Sequence, residues 1–158
     1  MKKQKGFSLI ELLIVVAIIL IIAAIAIPNL LRSRMAANEA SAVGSLRTIN
    51  TAEVTYSTTY PSIGFAALAS LGGAAPCTSA ASTGACLIDD VLSSAAAIKS
   101  GYSFTATAAG GPPAVTYTSV AKPVAVGQSG QRAFCSDQSG VIRFNPGGTA
   151  CANTDSAL

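Results

Sequence analysis

Histidine and tryptophan are both absent from this chain of 158 residues. Without histidine the chain has no Ser-His-Asp or Cys-His nucleophilic centre and no histidine metal ligand. It also has no imidazole group to change charge near neutral pH. The enzyme and metal-binding classes that depend on an imidazole side chain are therefore excluded.

Charged residues are scarce, and the net charge belongs to one end of the chain. Ten Lys and Arg residues stand against seven Asp and Glu residues, which gives a net charge of +3. Lys2, Lys3 and Lys5 account for the whole excess. A nucleic-acid-binding surface needs basic residues gathered on the folded part of the chain. We therefore expect no nucleic-acid partner for this protein.

A long apolar segment follows the lysines. Residues 12–27 form an unbroken apolar run of sixteen, and the segment has 21 residues when 7–11 are included. As a helix rising about 1.5 Å per residue it reaches about 31 Å, which is enough to cross a hydrocarbon core of about 30 Å. The lysines orient such a span with its N terminus in the cytoplasm. We predict a single-pass hydrophobic helix over 7–31, with the rest of the protein outside the cytoplasm.

After Pro28 the pattern becomes amphipathic. Several residues fall within an arc of about 160° when plotted at about 100° per residue, which is typical of a helix with one apolar face. They are Met35, Ala42, Val43, Leu46, Ile49, Val54 and Tyr56. Glu39, Asn50 and Glu53 interrupt the arc. We predict one long helix over 7–57, amphipathic over 32–57, in which Pro28 permits a kink because it removes one backbone donor.

The remainder, 58–158, is rich in Ala, Ser, Thr and Gly and is predicted to form a small head. Four segments in it have the alternation or apolar character of strands separated by turns. They are 102–108, 115–121, 132–135 and 141–144. A short helix is predicted near 88–98. Because the sheet must bury its apolar face, we expect it to pack on the outer half of the long helix, giving an α+β fold with about four antiparallel strands.

Four cysteines lie in this exported part: Cys77, Cys86, Cys135 and Cys151. An even count outside the cytoplasm indicates two disulfides. The spacings of 9, 49 and 16 residues match no CxxC redox or zinc pattern. By sequence alone, three pairings are possible.

The most specific motif lies at the start of the apolar segment and reads Lys5-Gly6-Phe7-Ser8-Leu9-Ile10-Glu11-Leu12. It resembles the N terminus of type IV pilins and of the related pseudopilins of type II secretion. The resemblance covers about 30 residues. It implies that residues 1–6 are a leader, that a prepilin peptidase cuts between Gly6 and Phe7, and that a methyltransferase activity then methylates the new amine of Phe7.

The resemblance also implies a function and a location. A type IV pilin is a structural subunit without cofactor or enzyme activity, held in the inner membrane until the pilus assembly machinery adds it to a homopolymer. The assembled filament lies outside the cell, and its use in adhesion, motility or DNA uptake is not distinguished by the motif. The alternative within this resemblance is a pseudopilin of a type II secretion system.

The same resemblance bears on the cysteines and on a metal site. The C-terminal disulfide loop of many pilins favours Cys135 with Cys151, and the small loop closed by neighbours favours Cys77 with Cys86. Asp89 and Asp90 are possible calcium ligands, and major pseudopilins bind calcium in a C-terminal loop to which Asp137 and Asp155 would correspond. We instead interpret Asp89 and Asp90 as charges in the first turn of a short helix and Asp137 as a turn residue. No metal site is predicted.

Glu11 is a carboxylate in a membrane helix, where its insertion costs about 2.5–3.5 kcal/mol. Such a residue is usually paired or functional. After removal of the leader lysines, the resemblance implies pairing with the Phe7 amine of a neighbouring subunit and hence a role in assembly. The alternative is that Glu11 lies near the membrane surface and is hydrated without a partner.

A conventional secretory signal is the main alternative to the pilin interpretation. The lysines, the apolar run and Ala24-Ile25-Ala26 imitate its three regions. Two features oppose this interpretation: the run is longer than the usual 7–15 residues, and Glu11 lies within the apolar segment. A membrane-anchored enzyme or receptor would fit the span but leaves the Gly6-Phe7 junction unexplained.

Overall fold

A computed structural model describes residues 7–73 and 76–158 of the chain. Gly6 and the predicted leader lie outside the described residues. The elements are α1 (Leu9–Thr59), α2 (Leu68–Leu71), α3 (Asp90–Ser93), β1 (Ile98–Lys99), β2 (Tyr102–Ala109), β3 (Thr116–Pro123), β4 (Ala133–Asp137), β5 (Arg143–Asn145) and β6 (Ser156–Ala157). The chain divides after Arg34 into an N-terminal unit and a C-terminal unit, Met35–Leu158.

The N-terminal unit consists of the first half of α1. This helix is long and apolar enough to cross a membrane, and none of its most apolar window of 18 residues is buried. Pro28 lies inside α1, and the helix continues beyond it. The kink at Pro28 stays a prediction.

The second half of α1 contributes one face to the core of the C-terminal unit. Leu46, Ile49 and Tyr56 are fully buried on that face, as the amphipathic pattern predicts. The prediction for Val54 is wrong, because its side chain is 56% exposed while that of Glu53 is fully buried. Successive residues are about 100° apart around a helix, so the core contact at Glu53 turns Val54 toward the surface.

A six-stranded antiparallel sheet packs on this face of α1. Its strands follow the chain order from β1 to β6, so each one pairs with its neighbour in sequence. The β2–β3 hairpin pairs Phe104 with Ala121, and burial alternates along both strands. Tyr102 and Phe134 join α1 in the hydrophobic core. The predicted α+β fold with a long helix on an antiparallel sheet is confirmed.

The sheet has two more strands than predicted, and both extra strands lie at its edges. β1 pairs with β2 through Ile98 and Ser103, and β6 pairs with β5 through Ser156 and Phe144. Each edge strand has two residues. An alternating pattern needs at least four residues to be recognised in sequence, so these strands gave no signal.

The predicted helix near 88–98 is reduced to the single turn of α3. The side chain of Asp89 accepts a hydrogen bond from the backbone N–H of Leu92 at 2.8 Å and so caps the start of this turn. Ser94 already has an extended backbone, which ends the helix. The chain then enters β1, because pairing with β2 satisfies its backbone groups. A second one-turn helix, α2, lies earlier in the chain and was not predicted.

Strand β4 is buried along its whole length. Neighbouring residues of a strand point to opposite faces, so Phe134 faces the α1 core and Cys135 faces away from it. Cys135 is nonetheless fully buried and is joined to Cys151. The C-terminal segment therefore reaches the face of the sheet opposite to α1 at Cys135.

Candidate functional site

The N-terminal end of α1 carries the residues of the predicted processing and assembly motif. Phe7 and Ser8 precede the helix, and the backbone N–H of Leu12 donates to the carbonyl of Ser8 at 3.2 Å. Glu11 is an exposed acid in the first helical turn. A negative charge there is favoured by the helix dipole, and the exposed carboxylate is accessible to a partner outside this chain.

The side chains that follow form a continuous apolar surface. From Leu9 to Leu31 every described residue is exposed except the half-buried Ala23. Large side chains such as Leu20 and Ile21 are 63% and 64% exposed. Soluble monomers rarely expose apolar patches larger than about 300–600 Å². This surface requires a cover of lipid or of other protein.

In the C-terminal unit, a partly buried ion pair joins α1 to the segment before β4. Arg132 Nε donates to Glu39 Oε2 at 2.8 Å, and the backbone N–H groups of Gln131 and Arg132 donate to Glu39 Oε1 at 2.9 and 3.1 Å. The Arg132 guanidinium also lies 5.4 Å from the ring centroids of Phe134 and Phe144. Burial raises the pKa of Glu39, but these hydrogen bonds outweigh it and hold the pKa below its ordinary value.

A second polar connection joins α1 to the middle of the sheet. Asn50 Nδ2 donates to Ser136 Oγ at 2.8 Å, and the Tyr117 hydroxyl donates to Asn50 Oδ1 at 3.0 Å. Ser136 Oγ in turn donates to the carbonyl of Val141 at 3.1 Å. Both ends of the Asn50 amide are satisfied, so this network fixes the position of α1 on β3 and β4.

Glu53 is the third polar residue on the buried face of α1, and its environment differs from that of Glu39. Its side chain is fully buried, and Oε2 accepts a hydrogen bond from the backbone N–H of Ala66 at 3.0 Å. Oε1 has no hydrogen-bond partner among the described residues. Burial raises the pKa of Glu53 to about 7, because the single amide donor offsets only part of the desolvation.

Comparison with known proteins identifies the motif at the start of the chain. Residues 1–27 match the family model described as the prokaryotic N-terminal methylation motif. The chain is 64% identical over 39 residues to the type IV wide pilus major component PilA4 of Thermus thermophilus, and 44% identical over 54 residues to the type IV major pilin protein PilA of Myxococcus xanthus. The N-terminal part of the chain is thus similar to type IV pilins.

These similarities cover part of each pilin. They span 25% of this chain and 30% of the Thermus protein, and 34% of this chain and 24% of the Myxococcus protein. The chain thus matches about a quarter to a third of the length of these curated relatives. No solved structure gave a significant match.

The four cysteines of the chain form two disulfides in the structure. Cys77 is joined to Cys86 with 5.8 Å between their Cα atoms, and Cys135 to Cys151 with 5.6 Å. There is no free cysteine in the described residues, which include all four. These are the favoured pairs of the sequence analysis, Cys77–Cys86 from the small loop that it closes and Cys135–Cys151 from the resemblance to pilins.

The aspartates have structural roles, in agreement with the interpretation made from the sequence. Asp89 caps α3 as described above, and Asp137 Oδ1 accepts from the backbone N–H of Ser139 at 2.8 Å in the turn between β4 and β5. Asp155 Oδ2 accepts from the backbone N–H of Ala152 at 2.9 Å. Within residues 7–73 and 76–158 no three acids or cysteines come together as a metal site would require.

From the sequence alone, Glu39 and Glu53 are recognisable only as interruptions of the apolar arc of α1. Their partners come from distant parts of the chain: Arg132 is 93 residues away from Glu39, and Ala66 offers only its backbone N–H to Glu53. An acid on the apolar face of an amphipathic helix is itself a signal that a buried partner exists. It does not say which residue the partner is.

Proposed function

We propose that this chain is a structural pilin subunit that polymerises through α1 into a type IV pilus filament. The observation that carries the proposal is the exposed apolar surface of α1, with Glu11 in its first turn. A surface of this length is covered by lipid in a membrane and by the α1 helices of other copies in a filament. One helix surface thus serves both states.

The proposal includes the maturation of the chain. Residues 1–6 are a leader, and a prepilin peptidase with methyltransferase activity cuts between Gly6 and Phe7 and methylates the Phe7 amine. The match of residues 1–27 to the methylation motif supports this step. Residues 7–31 then anchor the subunit in the inner membrane, 32–57 continue the helix, and 58–158 form the exported head.

Glu11 selects the correct neighbour during assembly. Its carboxylate is costly in hydrocarbon, and pairing with the Phe7 amine of an adjacent copy offsets that cost and sets the axial register. The partners of the subunit are therefore other copies of itself, the membrane and the inner-membrane assembly machinery. The subunit acts as a building block and not as an enzyme. The two relatives, a pilus major component and a major pilin protein, favour a pilus over a pseudopilus.

Filament yield from cells carrying Glu11 variants tests the proposal. Filaments sheared from the cells are measured against the total membrane pool of the protein. Glu11→Ala should insert, be cleaved and fold, yet give at least a tenfold lower filament yield, because it removes the ion pair. Glu11→Gln should be similarly impaired, because the amide keeps the shape without the charge.

Glu11→Asp is the matched control, since it shortens the side chain and keeps the carboxylate. It should retain more filaments than Glu11→Gln. Wild-type yield from Glu11→Ala would refute the assembly role of this carboxylate. Absence of filaments from cells that express the wild-type protein together with its assembly machinery would refute the pilin function itself.

A further inference from the structure

The segment of residues 61–73, which we call the connecting segment, lies between α1 and the first disulfide loop. Backbone hydrogen bonds hold it at two places. Near its start, the N–H of Phe65 donates to the carbonyl of Ala114 at 3.0 Å, and near its end the N–H of Leu87 donates to the carbonyl of Leu71 at 2.8 Å. Between these places, Ala66 donates to the side chain of Glu53 on α1. Glu53 is thus the polar contact of α1 with the middle of this segment.

The carboxyl group of Glu53 is only partly hydrogen-bonded. The carboxyl group is fully buried, one oxygen has a single amide donor, and the other oxygen has no partner among the described residues. An ionised carboxylate in such a place carries a large desolvation penalty, whereas a protonated one does not. The charge state of Glu53 therefore affects the stability of the contact between α1 and the connecting segment.

Among the residues that the structure describes, no neighbouring group compensates a negative charge on Glu53. The connecting segment contains no charged residue. The titratable groups that face Glu53 are Tyr56 from α1 and Tyr117 from β3, whose hydroxyls donate to the Ser82 carbonyl and to Asn50. Burial raises the pKa of Tyr117 to about 12 and raises the pKa of Tyr56 above its ordinary value, so both stay neutral near pH 7.

We propose that Glu53 is a pH-dependent switch that controls the opening of the connecting segment. With Glu53 protonated, the segment stays packed on α1. With Glu53 ionised, the buried charge favours a state in which the segment moves away and water reaches the carboxylate. This device lies wholly within the C-terminal unit, so it goes beyond the proposed filament function and does not depend on it.

The direction and size of the pH effect on opening of the connecting segment follow from proton linkage. The pKa of Glu53 is about 7 in the closed state against an ordinary 4.5 for a hydrated glutamate. The closed state thus binds more protons than the open state between these values, and it loses stability as the pH rises through this interval. For a carboxyl that becomes fully hydrated on opening, the opening equilibrium increases about 70-fold from pH 5 to pH 8.

Hydrogen exchange measured by mass spectrometry on the full chain in detergent micelles tests the switch. Exchange of peptides from the connecting segment is followed from pH 5 to pH 8 and corrected for the intrinsic rate at each pH. Protection should fall by tens of fold in these peptides. Peptides from the β2–β3 hairpin of the same sample are the internal control and should keep their protection.

Two variants remove the titrating group. Glu53→Gln keeps an acceptor for the Ala66 N–H, and Glu53→Met replaces the carboxyl with an apolar side chain; both should abolish the pH dependence. Glu39→Gln is the matched control, because it removes another buried carboxylate of α1 and should leave the dependence intact.

If both Glu53 variants fail to fold, the wild-type series decides the question alone. Protection of the connecting segment that stays constant from pH 5 to pH 8 overturns the proposal. An unchanged pH dependence in a folded Glu53 variant overturns it as well.

Discussion

Replacing Glu39 tests whether its ion pair with Arg132 holds α1 on the sheet. Glu39→Ala leaves the backbone N–H groups of Gln131 and Arg132 without their acceptor, and it leaves the guanidinium without its counter-ion. Each buried donor that loses its partner costs about 1–3 kcal/mol. The Arg132 side chain is 39% exposed and can be rehydrated, which lowers the total. We therefore expect a loss of about 2–4 kcal/mol in the free energy of unfolding.

Urea unfolding of the full chain in detergent micelles measures this loss. Tyrosine fluorescence is a suitable signal, because all four tyrosines lie in the C-terminal unit. Glu39→Gln keeps one acceptor oxygen and should lose less than Glu39→Ala. Combining Glu39→Gln with Arg132→Met should cost less than the sum of the single changes, because the two residues share one interaction. A loss below about 0.5 kcal/mol for Glu39→Ala would refute the reasoning, since that is the range of ordinary surface substitutions.

The ion pair also gives stability a pH dependence of defined sign. The pKa of Glu39 is lowered in the folded protein, so near pH 4 the unfolded chain binds more protons than the folded one at this site. The contribution of Glu39 is present above the ordinary value and is lost as the pH falls through the lowered pKa. Glu39→Gln should remove this acid-side loss, which is opposite in direction to the effect of Glu53.

Two further predictions concern glycines. Gly6→Val should leave uncut precursor, because it places a side chain at the scissile bond. Mass spectrometry of the wild-type protein should find a methylated N terminus at Phe7. A mature N terminus near Ile27 would instead favour a secretory signal. Gly130→Ala should destabilise the C-terminal unit by about 1–3 kcal/mol, because its Cβ would lie 2.0 Å from a buried tyrosine hydroxyl of β2. The control Gly44→Ala meets nothing within 4 Å in α1 and should be neutral or stabilise the helix by up to about 1 kcal/mol in urea unfolding. Equal effects of the two alanines would contradict the steric explanation.

The long helix and the central hairpin were predictable because their signals are local. An apolar run of sixteen residues and the alternation that includes Tyr102 and Phe104 each fix a periodicity within one segment. The first motif residues were predictable for another reason, since their order resembles that of a known family. Tertiary contact was not needed for any of these predictions.

The edge strands and the burial of Glu53 could not be predicted, because they depend on contacts between residues that are distant in sequence. β1 and β6 exist because their partners β2 and β5 present unpaired edges, and two residues leave no pattern of their own. Val54 was placed on the wrong face because hydrophobicity alone would bury it, whereas Glu53 occupies the core position and bonds to Ala66. At this position the core holds a polar residue that bonds to a distant backbone amide, which hydrophobicity alone does not predict.

The disulfide between Cys135 and Cys151 determines how the C-terminal unit would respond to mechanical force. Tension applied to the chain beyond Cys151 first separates β6, whose two residue pairs give little resistance. The bond then transmits the load directly to β4, which lies inside the sheet, and β5 is left out of the path. The 15 residues between the two cysteines cannot extend, so about 50 Å of chain stays stored under load. The unit yields only when β4 is pulled away from β3, to which it pairs through four residues.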